Sequence, residues 1–311
     1  MTPFRTVLAA LLLAAAQSAG RSNPAVTAAI RAHIDEANRG SEAALARRAD
    51  RALGDGHIYL ALHVVEPAWV RQSAERFVRE HEKVRTPDGF RAEWNRVRAT
   101  LPDRAPARAQ PLLLTALHDA ARARCEPTLN GSLPYFEEID ARDGLYYLGE
   151  ARALAQLAAF YAELPMSPAG TTPALRSLAP EIGELYANVA AMHRTADERS
   201  RTAFVPISTS LRLASLLNDE HAYAGALLEL LLARYQAALL VTPVAAADGA
   251  RERLARVSRT LDDGRDHSIA ALFMQMAALH LSGALPPGPR GAAAIADEVL
   301  PAYLTIIGGR P

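Results

Sequence analysis

The chain has 311 residues, 34 basic against 34 acidic side chains, and half of its residues are apolar. That balance leaves no global field to draw nucleic acid or an anionic membrane, and the apolar half excludes a disordered chain. Aromatic residues make up only 6% and Cys125 is the single cysteine, so the core is built mainly from Ala and Leu, without an internal disulfide.

The first element in the chain is an address. Arg5 is a lone positive charge, residues 7–16 are an unbroken apolar run, and small residues follow at Ala16, Ser18, Ala19 and Gly20. Charged start, short apolar stretch and small-residue cleavage site are the layout of a secretory signal peptide. The run is too short to span a bilayer, which needs ~20 apolar residues. Residues 1–20 are therefore expected to be removed, leaving a periplasmic or secreted protein with no membrane span. Lys83 is the only lysine, and alanine is abundant. That bias reads as GC-rich coding, which fits a bacterial envelope.

Next comes a series of helix signals. Asn23-Pro24, Thr86-Pro87, Thr172-Pro173 and Thr242-Pro243 each pair a capping side chain with proline at the first helical position. Gly40-Ser41, Asp143 and Asn218-Asp219 are further cap-like starts. Apolar residues recur at spacings of three and four between these marks, which predicts helices near 24–38, 41–53, 68–84, 88–100, 105–124, 144–164, 173–194, 197–217, 220–240, 243–261, 266–282 and 290–306. Residues 145–164 and 222–241 are apolar nearly all round and are expected as buried core helices. The second has membrane length, but Glu229, Arg234 and Gln236 within it argue for a core position. Residues 57–66 alternate as a strand would, yet have no partner strand, so a helix or extended segment is expected.

Pro- and Gly-rich breaks fall at 101–111, 165–173 and 285–291. The break at 165–173 divides an N-terminal helical half, 21–164, from a C-terminal half, 173–311, expected to pack as one domain. The fold class is all-α: an array of antiparallel helical hairpins, solenoid-like or a closed bundle, with about ten to twelve helices.

Candidate chemistry is sparse. Asp262, Asp263 and Asp266 match the D-D-x-x-D form that holds magnesium in helical prenyl and terpene synthases, but Gly264 interrupts it. The preferred reading is an Asp-Gly turn whose Asp266 caps the next helix. Met274, Met276, His267 and His280 would suit Cu(I), and are read instead as core packing. Neither a metal nor a cofactor is expected. His57, Tyr59, His63 and Glu66 form a polar-aromatic patch that would line a cleft with acid–base groups. Glu150, Arg152, Arg212, Glu229 and Arg234 are charges inside apolar helices. They must pair or reach the surface, and Arg212 and Glu150 are the expected partners of Glu229 and Arg234.

The functional expectation is an exported binding or scaffold protein with an unidentified protein or small-molecule partner. Two alternatives stand beside it. One is a small-ligand-binding protein using His57, Tyr59, His63, Glu150, Arg212 and Glu229. The other is a hydrolase-like enzyme using His57 with Glu137, Glu138 and Asp140.

Overall fold

The computed structural model describes residues 23–84, 86–101, 109–196, 201–243 and 248–308. The expected leader at 1–20 lies outside them. Among the described residues the regular elements are all helical, and one isolated bridge, Thr171 with Arg265, is the only strand-like pairing. The helices are α1 (Pro24–Ala37), α2 (Ala43–Gly54), α3 (Ile58–Glu80), α4 (Pro87–Arg98), α5 (Leu112–Pro134), α6 (Ala141–Glu163), α7 (Ala179–Thr195), α8 (Phe204–Asp219), α9 (Tyr223–Val241), α10 (Ala250–Thr260), α11 (Ser268–Ser282), α12 (Pro289–Ala294) and α13 (Leu300–Ile306). Single π-helical turns, Tyr135–Ile139 and Ile295–Val299, follow α5 and join α12 to α13.

Two compact units divide the chain. One comprises 22–110 with 117–166; the other comprises 111–116 with 167–308. The break between them at Met166 lies inside the proline-rich stretch 165–173.

In the first unit α3 is the central helix, packed on α1, α2 and α6. It runs unbroken through Pro67. From Ile58 onward the ambiguous segment is therefore helical and continuous with the helix expected at 68–84. Proline removes one backbone donor, but residues on several sides of α3 are buried, from Ile58 and Leu60 to Trp69 and Phe77, and that packing outweighs one lost hydrogen bond. α5 likewise continues through Pro127, which is exposed between the buried Cys125 and Leu129. A Cβ at Gly149 would stand 2.7 Å from the Phe77 Cβ and 3.1 Å from the Ala74 Cα, so glycine lets α3 and α6 approach closely.

The caps are partly those the sequence suggests. Asn23 Oδ1 accepts from the Ala25 amide at 3.0 Å and Thr86 Oγ1 from the Gly89 amide at 3.2 Å. Asp140, not Asp143, caps α6, accepting from the Arg142 amide at 2.6 Å. Thr172-Pro173 starts no helix, because Thr171 exchanges backbone hydrogen bonds with Gly264 and Asp266 at 3.0 and 2.9 Å, and α7 begins only at Ala179.

In the second unit α9 lies against α8 and the Ile295–Val299 turn, and most of it is buried, from Ala224 through Ala238. Arg290 closes its C-terminal end, donating to the Leu239 carbonyl and, at 2.6 Å, to that of Thr242.

Candidate functional site

The patch 57–66 is reorganised by its helical conformation. As a strand it would put His57, Tyr59 and His63 on one side. On α3 the spacing of three and four aligns Tyr59, His63 and Glu66 instead, and His57 stands just before the first turn. His57 is buried, and burial holds its imidazole below the ordinary histidine pKa, with Asp55 opposing. Tyr59 is buried as well.

His63 and Glu66 meet partners from α5 and α6. Arg124 forms an ion pair with Glu66, and the fully buried Tyr161 hydroxyl donates to Glu66 Oε2 at 3.4 Å. The His63 Nδ1 is buried and has no hydrogen-bond partner among the described residues. Burial is the main cause holding that ring neutral, with Glu66 opposing and Arg124 assisting. Glu150 on α6 is half-buried. Burial raises its pKa, against the pull of Arg124 and Arg71. Both guanidinium groups are already engaged, Arg71 with Glu42 and Arg124 with Glu66. Two of the residues expected from the sequence, His63 and Glu150, thus both feel the charge of Arg124, which no local pattern marks. Chemically the cluster is a satisfied ion pair with a neutral imidazole and a carboxyl of raised pKa beside it.

The acidic segment 137–140 has other duties. The Tyr135–Ile139 turn folds back on α6: a Cβ at Gly144 would be 2.5 Å from the Phe136 Cβ. Phe136 stacks on Phe90 at 4.1 Å between ring centroids. Glu137 lies 3.5 Å from the Arg91 guanidinium, Glu138 is exposed, and Asp140 is the helix cap described above. No hydrogen bond or ion pair among the described residues joins His57 to these acids.

An open groove of about 330 Å³ lies beside this turn, lined by Arg91, Trp94, Asn95, Leu133 and Glu137. Trp94 and Leu133 form its apolar part and pack on a core that includes Phe77, Phe90 and Leu129. The indole N–H donates to the Leu129 carbonyl at 3.0 Å, which fixes the ring. The Arg98 guanidinium lies 5.2 Å from its centroid. Arg91, Asn95 and Glu137 are at the surface around it. Of these five only Glu137 stands out in the sequence, and there as a catalytic acid rather than a binding group. The five come from two stretches of chain some 40 positions apart, and the π-helical turn that brings Glu137 to Arg91 has no pattern to read.

In the second unit Arg212 is exposed on α8 and Glu229 half-buried on α9. Arg234 lies 3.6 Å from Glu298, so its partner is neither Arg212 nor Glu150. In the D-D-x-x-D segment, the Asp263 Oδ2 accepts from Arg265 at 2.5 and 2.8 Å and its Oδ1 pairs with His267 at 2.7 Å. These bonds, Arg265 first, hold the carboxyl well below the usual range. Asp266 caps α11 through the Ser268 amide at 2.9 Å. The carboxylates of Asp263 and Asp266 are thus occupied by protein donors. His280 is likewise committed, to the Tyr235 hydroxyl at 2.6 Å and the Leu285 carbonyl at 2.9 Å. Cys125 is buried, its thiol donating to the Ala121 carbonyl at 3.2 Å and pushed up to about 12 by burial, which leaves it a packing residue.

No protein-family model, curated protein or solved structure matches this chain.

Proposed function

We propose that this chain is an exported helical binding protein that takes a segment of a protein partner in the groove between α4 and the Tyr135–Ile139 turn. The observation that carries this reading is the composition of the groove. A rigidly held Trp94 and Leu133 supply an apolar floor, and two exposed groups of opposite charge, Arg91 and Glu137, stand at its rim. Tryptophan and arginine are the residues that most often anchor interfaces. The volume is at the small end for ligand sites, enough for one anchoring side chain. Such a segment would place an apolar residue on Trp94 between an acidic and a basic neighbour, satisfying both rim charges. Export is supported by the layout of residues 1–20 alone.

Charge reversal tests the groove without touching its core. The full chain, expressed with its leader in a bacterial host, is crosslinked in the envelope and its adducts identified. Arg91→Glu and Glu137→Arg, both at exposed positions, should each abolish a discrete adduct. A reversal at exposed Arg212 should leave it intact. Adducts unchanged in both groove variants would reject this surface as the binding site.

A further inference from the structure

Helix α7 is held to its unit along one narrow edge. Of its 17 residues Ile182, Leu185 and Val189 are buried, and the helix packs on α8 and α9. A second stripe lies on the opposite side. Glu184, Ala187, Ala191 and Arg194 are all exposed, and their spacing of three, four and three keeps them on one face. Tyr186, beside this stripe, is 64% exposed. A surface helix ordinarily turns charged groups outward all along its length. Here the middle of the outward face is apolar and the charges stand at its two ends.

That alternation of three and four is the seam of a helix pair, and the charges name the second helix. Glu184 is acidic, and Arg194 is basic and about 15 Å further along the axis. Among the described residues neither has an ion-pair or hydrogen-bond partner. Two copies of α7 laid antiparallel, with a two-fold axis level with Val189, set Glu184 of each copy against Arg194 of the other. The same register sets Ala187 of each against Ala191 of the other, and small side chains there let the axes approach closely. A parallel arrangement would oppose like charges. The face is therefore complementary to itself, as a two-fold contact requires, while a uniformly acidic or basic partner would meet one repulsive end.

We propose that the outward face of α7 is a self-association surface, on which a second copy of this chain docks antiparallel through reciprocal Glu184–Arg194 pairs. The surface lies on a different helix from the Trp94 groove and does not depend on it. One helix face is a small contact, so the pairing is reversible and concentration-dependent, with the charges fixing its direction.

Sedimentation velocity of the full chain over a concentration series tests the proposal. A reversible dimer is expected, weakened by about tenfold or more in Glu184→Arg and in Arg194→Glu, with thermal midpoints of the separated chains unchanged. Each variant alone opposes like charges across the seam. An equimolar mixture of the two restores opposite charges at both ends, and should recover the dimer. Arg91→Glu, in the groove, should leave it intact. A chain monomeric at every concentration, a dimer that both reversals leave unchanged, or a mixture no tighter than its components overturns the proposal.

Discussion

Asp266 holds the amide of Leu112, 154 positions earlier in the chain, with a hydrogen bond of 2.6 Å to its Oδ2. Its other oxygen takes the Ser268 amide at 2.9 Å, and the Ser268 hydroxyl takes the Leu113 amide at 2.9 Å. One fully buried carboxylate thereby accepts one amide from the first turn of each of α5 and α11, where helices leave backbone donors unpaired.

Asp266→Ala removes both caps and leaves two buried amides without acceptors. The expected cost is about 2–4 kcal/mol, read as a lower urea midpoint. Asp262→Ala, at an exposed neighbouring aspartate, should change the midpoint little. Equal effects at the two positions would contradict the double-cap role.

The α3–α6 crossing should be intolerant of bulk. Gly149→Ala places a methyl group 2.7 Å from the Phe77 Cβ, forcing the helices apart at a cost of about 1–3 kcal/mol. Gly183→Ala on α7 meets nothing within 4 Å, and should be neutral or stabilising because alanine favours helix. Thermal melts of the two variants should move in opposite directions, or only the first should move.

Acid should destabilise the protein through its buried and half-buried histidines. His33, His57, His63 and His280 all have pKa values lowered by burial from the ordinary 6.5. A base whose folded pKa is depressed favours the fold fully above its unfolded value, and the advantage falls as pH drops through 6.5. Thermal midpoints should therefore decline from pH 7 to pH 5. His63→Gln should flatten that slope.

Glu150 should act with the opposite sign. Burial raises its carboxyl pKa, so the ionised form at neutral pH opposes folding and protonation relieves the penalty. Glu150→Gln should raise the midpoint at pH 7, and the difference from the unsubstituted protein should vanish in acid. A variant less stable at pH 7 would show that Arg71 and Arg124 outweigh the burial.

Export has its own check. N-terminal sequencing of protein from the envelope fraction should find a start between Ala19 and Ser22. Retention of Met1 on soluble cytoplasmic protein would reject the leader.

The helical class was legible from the chain because apolar spacing and capping chemistry are local. Asn23 and Thr86 cap where their side chains suggest, and the all-round apolar stretch around Leu227 forms a buried helix, since a helix without a polar face must be covered. Asp266 as a helix cap could also be read, because the Asp-Gly turn before α11 acts within a few residues. Its bond to Leu112 could not, since nothing in the neighbourhood of either residue encodes the other. Helix continuity through Pro67 was likewise a tertiary outcome, in which burial of the surrounding turns outweighs a missing backbone donor. The sites follow the same division. Local pattern marked His63, Glu66 and Glu150 as polar groups among apolar ones. Only packing decided that Arg124 would join them, that a π-helical turn would carry Glu137 to Arg91 beside Trp94, and that Gly149 would let α3 and α6 approach closely. Side-chain chemistry is written residue by residue, but which groups converge is set by how helices distant in sequence bury their faces against one another.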